Sequence, residues 1–135
     1  MATWDDVRTA AMAMPGAVEE VRRGNLMWSV GGKLFVWERP LRATDLAQLG
    51  DAAPTGDIVG FRTADEGEKF ALVAAKPAVF FTIPHFDGYA AVLIELRRAG
   101  TKQVRELVVD AWLARAPRAL ADEFVQRRPR RQGQT

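Results

Sequence analysis

Cysteine is missing from the 135 residues, which excludes disulfides, thiolate zinc sites, iron–sulfur clusters and a thiol nucleophile, and leaves the redox compartment open. Histidine and serine occur once each, as His85 and Ser29. Ser29 sits within a strand-like run with no Gly-x-Ser-x-Gly elbow around it, so serine hydrolase chemistry has no nucleophile. A metal site would have to be completed by carboxylates, with Glu19 and Glu20 the nearest to hand, and His85 is not expected to ligate one. No dinucleotide fingerprint occurs, and Gly31-Gly32-Lys33 lacks the GxxxxGK[ST] spacing of a phosphate loop. Long apolar runs are absent as well: nothing approaches the ~20 residues of a membrane helix, and MATWDDVRTA lacks the zones of a signal peptide. A cytoplasmic, cofactor-free protein with no membrane partner and no enzymatic activity is expected.

What is present is enough for one core. With 48% hydrophobic and 27% charged residues, the chain reads as a single domain over residues 1–126 followed by a basic tail, 127–135. Arg127, Arg128, Arg130 and Arg131 carry the positive excess: removing those four charges from the formal net of +2 leaves the body at about −2. The tail is poor in apolar residues and is expected to be disordered.

Thr3 can cap a helix with Trp4, Val7, Ala11 and Met14 on one face, stopped by Pro15-Gly16. The period then becomes two: LMWSV, a Gly31-Gly32 turn and KLFVWE read as a hairpin that places Leu26, Trp28, Val30, Phe35 and Trp37 on one face. PLRATDLAQLGDAAPTG reads as a long connection with a helical turn near Thr44 to Leu49. DIVGFR is a third strand, and Thr63 with Glu66 suggests a capping box for a second helix ending at Pro77. VFFTI and AAVLIEL are two more strands. Thr101 is expected to cap a third helix with Val104, Leu107, Val108, Ala111 and Trp112 as its apolar stripe, continued past Pro117 through Leu120 and Phe124. The sum is an α+β two-layer sandwich of order α-β3-α-β2-α(α), a five-stranded antiparallel sheet with helices packed on one face.

Four motifs, MPGAVEE, VGGKLFVW, VFFTIPHFDGYAAVLIEL and VRELVVDAWLARAPRAL, resemble in order and spacing the MmcQ/YjbR family, whose fold is similar to that of type III secretion chaperones. The resemblance implies an α-β3-α-β2-α domain that binds DNA through a proposed double-wing motif, with no established enzymatic activity. RRGNLMWSV departs from the Trp-Gly pair often present there, and the arginine tail is an addition.

Candidate contacts to nucleic-acid backbone are Arg22, Arg23, Lys33, Arg39, Arg97 and Arg98, near hairpins and element ends, with Arg127, Arg128, Arg130 and Arg131 in the tail. His85, Phe86, Asp87 and Tyr89 form an aromatic loop in which Pro84, Asp87 and Gly88 make the turn, His85 is expected to hydrogen-bond within the loop, and the rings are candidates for recognition. Helix three offers a mixed-sign outer face of Lys102, Arg105, Glu106, Asp110 and Arg115, which argues against a recognition helix. Two functions stand side by side: DNA binding by backbone contacts, and a protein- or peptide-interaction module. The oligomeric state is left open.

Overall fold

A computed structural model describes residues 1–127; Arg128, Arg130 and Arg131 lie outside the described residues. In chain order the elements are α1 (Trp4–Met12), β1 (Val18–Arg22), β2 (Asn25–Val30), β3 (Lys33–Glu38), α2 (Ala43–Leu49), β4 (Ile58–Arg62), α3 (Glu66–Ala75), β5 (Phe80–Phe81), β6 (Ala91–Glu95), α4 (Thr101–Arg115) and α5 (Arg118–Arg127). The strands form one antiparallel sheet of order β1-β2-β3-β4-β6-β5. The α+β class is as expected, but six strands are present where five were read.

The additional strand is β1. Its sequence, VEEVR, does not alternate, and its Arg23-Gly24 turn is a poor hairpin signal because arginine rarely adopts positive φ. Arg23 nevertheless has φ 52° and Gly24 φ 81°, and the five residues of β1 pair in unbroken register with Ser29 back to Asn25.

Trp28, Val30, Phe35 and Val36 of β2 and β3 pack with Val59, Phe61, Val92 and Ile94 against Val7 and Ala11 of α1 and Val104, Val108, Ala111 and Trp112 of α4. Burial of this set supplies most of the hydrophobic stabilisation, at about 25 cal/mol per Å² removed from water. The α4 stripe is as the spacing predicts. Trp112 is fully buried, donates its indole N–H to the Pro15 carbonyl at 3.0 Å and lies 5.0 Å from the Phe124 ring of α5.

Trp37 is on the other face, contrary to the hairpin expectation. Trp28 pairs with Val36 rather than Phe35, Met27 with Trp37, and Ser29 with Leu34, so Phe35 is one extra residue in β3. A bulge resets the side-chain alternation beyond it: Phe35 and Val36 both turn toward the helices, and Trp37 emerges opposite with Ile58, Ile83, Phe86, Ala91 and Leu93. Its ring covers Gly60, the residue paired with it on β4, where an added Cβ would fall 2.6 Å from an indole carbon.

Further corrections are local. Leu49 of α2 packs on the Trp37 side, so the helices are not confined to one face. The cap of α3 is Asp65, whose side chain accepts from the Glu68 N–H while Glu68 accepts from the Ala64 N–H; the Thr63 hydroxyl instead donates to the Asp65 carbonyl. The cap lies two residues further along because Asp caps as well as Thr. Gly100 caps α4, leaving Thr101 as its first residue. VFFTI forms only a two-residue strand, since Pro84 opens a 3₁₀ turn directly after it. The Thr3 cap of α1 and the positive-φ Gly31-Gly32 turn are as read.

Candidate functional site

On the Trp37 side the sheet is only partly covered. A groove of about 750 Å³ opens there, within the size range of ligand sites. Met27, Leu34 and Trp37 belong to its lining, with Phe86, Tyr89 and His85 from the loop before β6 and Arg22, Arg23, Arg39 and Arg42 from the β1–β2 turn and the segment after β3. Three stretches, 22–27, 34–42 and 85–89, thus bring apolar, aromatic and guanidinium groups to one concavity.

The cations are unequal. Arg39 is buried, with Nη2 3.1 Å from Asp45 Oδ2, also buried, so its charge is matched inside the protein. Arg22 is exposed and pairs with Glu20 at 2.9 Å. Arg23 and Arg42 are exposed and have no ion-pair partner among the described residues. The carboxylate of the lining, Glu38, accepts from the Leu26 N–H at 3.0 Å. The rim therefore offers net positive charge to an incoming anion, at an exposed position where salt screens it.

The aromatic loop is built to hold its shape. Hydrogen bonds from Phe86 N–H to the Ile83 carbonyl, Asp87 N–H to Pro84 and Tyr89 N–H to Phe86 close successive turns, and Gly88 takes φ 77°. From below, Lys69 of α3 is fully buried and donates to the Phe86 carbonyl at 2.6 Å and the Tyr89 carbonyl at 2.9 Å. One buried ammonium thus adds a charge-assisted donor to two carbonyls that already accept from the Tyr89 and Ala91 N–H groups. Phe86 is buried against Trp37 at 6.2 Å between centroids and meets Tyr89 edge-on at 5.4 Å. Tyr89 is 37% exposed, with the Arg62 guanidinium 4.4 Å from its ring centroid, so its ring is fixed yet accessible. His85 is exposed, its ring 6.0 Å from Phe86, and no side-chain hydrogen bond ties it into the loop, contrary to expectation; Asp87 is exposed beside it.

The structure gathers Arg22, Arg23, Arg39, His85, Phe86 and Tyr89 from the sequence candidates, with Asp87 in the same loop, and places Lys33, Arg97, Arg98 and Arg127 elsewhere. Lys33 lies at the opposite end of β2 from Arg23. Arg97 and Arg98 both engage the buried Glu95, which also accepts from the Gly56 N–H. Burial pushes the Glu95 carboxyl up, but the hydrogen bonds from Arg98 and Gly56 and the Arg97 charge outweigh it, holding Glu95 below the usual range. Those arginines serve the fold. Arg127 pairs with Glu123 at 3.0 Å at the end of α5. Glu19 is tied down by the Arg8 hydrogen bond, which lowers its pKa, with the Trp28 indole N–H as a second donor. Arg42, Met27, Leu34 and Trp37 were not foreseen at the site. Arg42 sits in a turn-rich connection with no period to place it, and Trp37 is displaced by the bulge.

A family model described as YjbR matches residues 12–114. The chain belongs to the YjbR family. Among its relatives, uncharacterized protein Rv2570 of Mycobacterium tuberculosis and uncharacterized protein Mb2600 of Mycobacterium bovis are each 48% identical over 128 residues, covering 93% of this chain and 97% of theirs. A solved structure, Deinococcus radiodurans protein DR2400 with a domain of the DUF419 model, superposes with a TM-score of 0.65 at 17% identity, covering 100% of this chain and 96% of that one. That likeness bears on the fold of this YjbR chain. No helix among the described residues is long and apolar enough to cross a membrane.

Proposed function

We propose that this YjbR protein is a binding domain for DNA, without catalysis, that takes a single-stranded segment into the groove beside the aromatic loop. The observation carrying this reading is the convergence of exposed Arg23 and Arg42 with the accessible Tyr89 ring on one apolar-floored groove. Exposed guanidinium groups neutralise phosphates without reading sequence, and a fixed aromatic ring gives an unpaired base a stacking surface. The DNA-binding role implied for the family agrees with this site, although the groove suits a strand better than a duplex. Lys33, on the far hairpin, has no part in it.

Fluorescence anisotropy of labelled single-stranded and duplex DNA provides the test, using the full chain and a chain ending at Arg127. Both chains should prefer the single strand, with log affinity falling by about 0.7 per phosphate contact against log salt. Tyr89→Ala should weaken binding by about 1–3 kcal/mol per stacked base. Loss of binding with residues 128–135, or an unaltered Tyr89→Ala variant, would reject the groove as the site.

A further inference from the structure

The two edges of the sheet differ. β5 is two residues long, the kind of short edge that cannot template another strand. β1 is five residues long, regular against β2, and exposed at four of its five positions; Val18 is 55% and Val21 63% exposed. It carries neither proline nor a bulge, two usual protections of an open edge. Its local sequence, Glu19-Glu20-Val21-Arg22-Arg23, has opposite charges placed symmetrically about Val21.

We propose that β1 is a self-pairing edge, and that two copies of this chain join antiparallel about Val21 into a continuous sheet. A two-fold axis perpendicular to the sheet keeps side chains on matching faces, so each residue pairs with one of the same parity. Centring on Val21 sets Val21 against Val21 of the other copy, and Glu20 against Arg22 twice over. Directly opposed opposite charges and apolar pairs are the stabilising cross-strand contacts. Centring one residue to either side instead sets Glu20 against Glu20, or Arg22 against Arg22. The charge pattern therefore selects a single register, and it fits a second copy of the same strand. Arg22 already pairs with Glu20 of its own chain, so dimerisation exchanges one carboxylate for another there and leaves Arg42 at the groove. Such a contact is small and belongs at the weak end of specific association. In the dimer the two grooves open on the same side of the joined sheet, flanking the junction.

Sedimentation equilibrium of the full chain, without nucleic acid and up to about 1 mM, where weak specific pairs form, tests this separately from DNA binding. The wild type should associate to a dimer, and more weakly as salt rises. Glu20→Arg and Arg22→Glu each turn two attractive pairs into two repulsive ones and should weaken the dimer at least about tenfold. An equal mixture of the two variants should associate again, because the copy bearing two arginines then faces the copy bearing two glutamates. Circular dichroism melting confirms that both variants fold; if one does not, the combined Glu20→Arg, Arg22→Glu chain, with the pattern inverted, should dimerise by itself. A wild type that stays monomeric, reversals without effect, or a mixture that fails to associate would each overturn the proposal.

Discussion

The two faces of one sheet are finished differently. On the helical face Val36, Val59, Phe61, Val92 and Ile94 are sealed by α1 and α4, and the exposed polar groups stay outside. On the other face Trp37, Ile58 and Leu93 are covered by Leu49 of the short α2 and by the loop that carries Phe86, and part of the sheet is left as the groove. The same strands supply both faces, by alternation interrupted only at the Phe35 bulge of β3. The difference comes from what lies above them. A long helix with a regular apolar stripe excludes water along its length, whereas a seven-residue helix and a loop cover only patches and bring polar groups with them.

The largest effect should come from the sealed face. Trp112→Ala removes a fully buried indole and its bond to the Pro15 carbonyl, and takes away the ring against which Phe124 packs. Large-to-small core changes of this kind cost about 3–5 kcal/mol. Thermal unfolding measures it, and a melting temperature within a degree or two of the wild type would break the claim that this face carries most of the stability.

Legibility follows the same division. The stripe Val104, Leu107, Val108, Ala111 and Trp112 was readable because a helix repeats regularly and one period suffices to orient it. The Pro84 to Gly88 turn was readable because Pro and Gly carry their backbone preferences with them. Trp37 was not: its position depends on one extra residue at Phe35, and a bulge changes parity without any mark in the composition. β1 escaped for the opposite reason, as an edge strand with neither face deeply buried leaves no alternating signal. The groove inherits both gaps, since Trp37 belongs to its lining and the β1–β2 turn supplies Arg22 and Arg23.

The second prediction addresses the open face. Gly60→Ala places a methyl group 2.6 Å from the Trp37 ring, with two further ring atoms within 3.0 Å. The three atoms nearest that position all belong to the indole, so the ring must move, and Phe86 and Tyr89 pack against it. Overpacking of this degree costs about 3 kcal/mol, read by denaturant unfolding. Unlike Trp112→Ala, it should also weaken binding of single-stranded DNA in conditions where the variant is fully folded, because a displaced Trp37 reshapes the groove. Stability lost without any change in binding would separate Trp37 from the site.

The smallest effect concerns Glu95, which lies on the open side of β6 beneath the segment that leads into β4. Its Oε1 accepts from Arg98 at 2.8 Å and its Oε2 from the Gly56 N–H at 3.0 Å. Because these partners favour the charged form more than burial disfavours it, the folded-state pKa is depressed. A depressed carboxyl stabilises the fold above its unfolded pKa, and that contribution disappears as pH falls through the folded value. Glu95→Gln should therefore cost about 1.5 kcal/mol at pH 7, the range for hydrogen bonds to a charged group. Below the folded pKa the wild-type carboxyl is itself neutral, so the difference should shrink and the acid limb of stability against pH should be flatter in the variant. Unfolding free energies measured from pH 7 down to about 3, across the carboxylate range, settle it. A gap independent of pH would assign the role of Glu95 to its shape and packing, and the open face would then be held, like the sealed one, by contacts indifferent to charge.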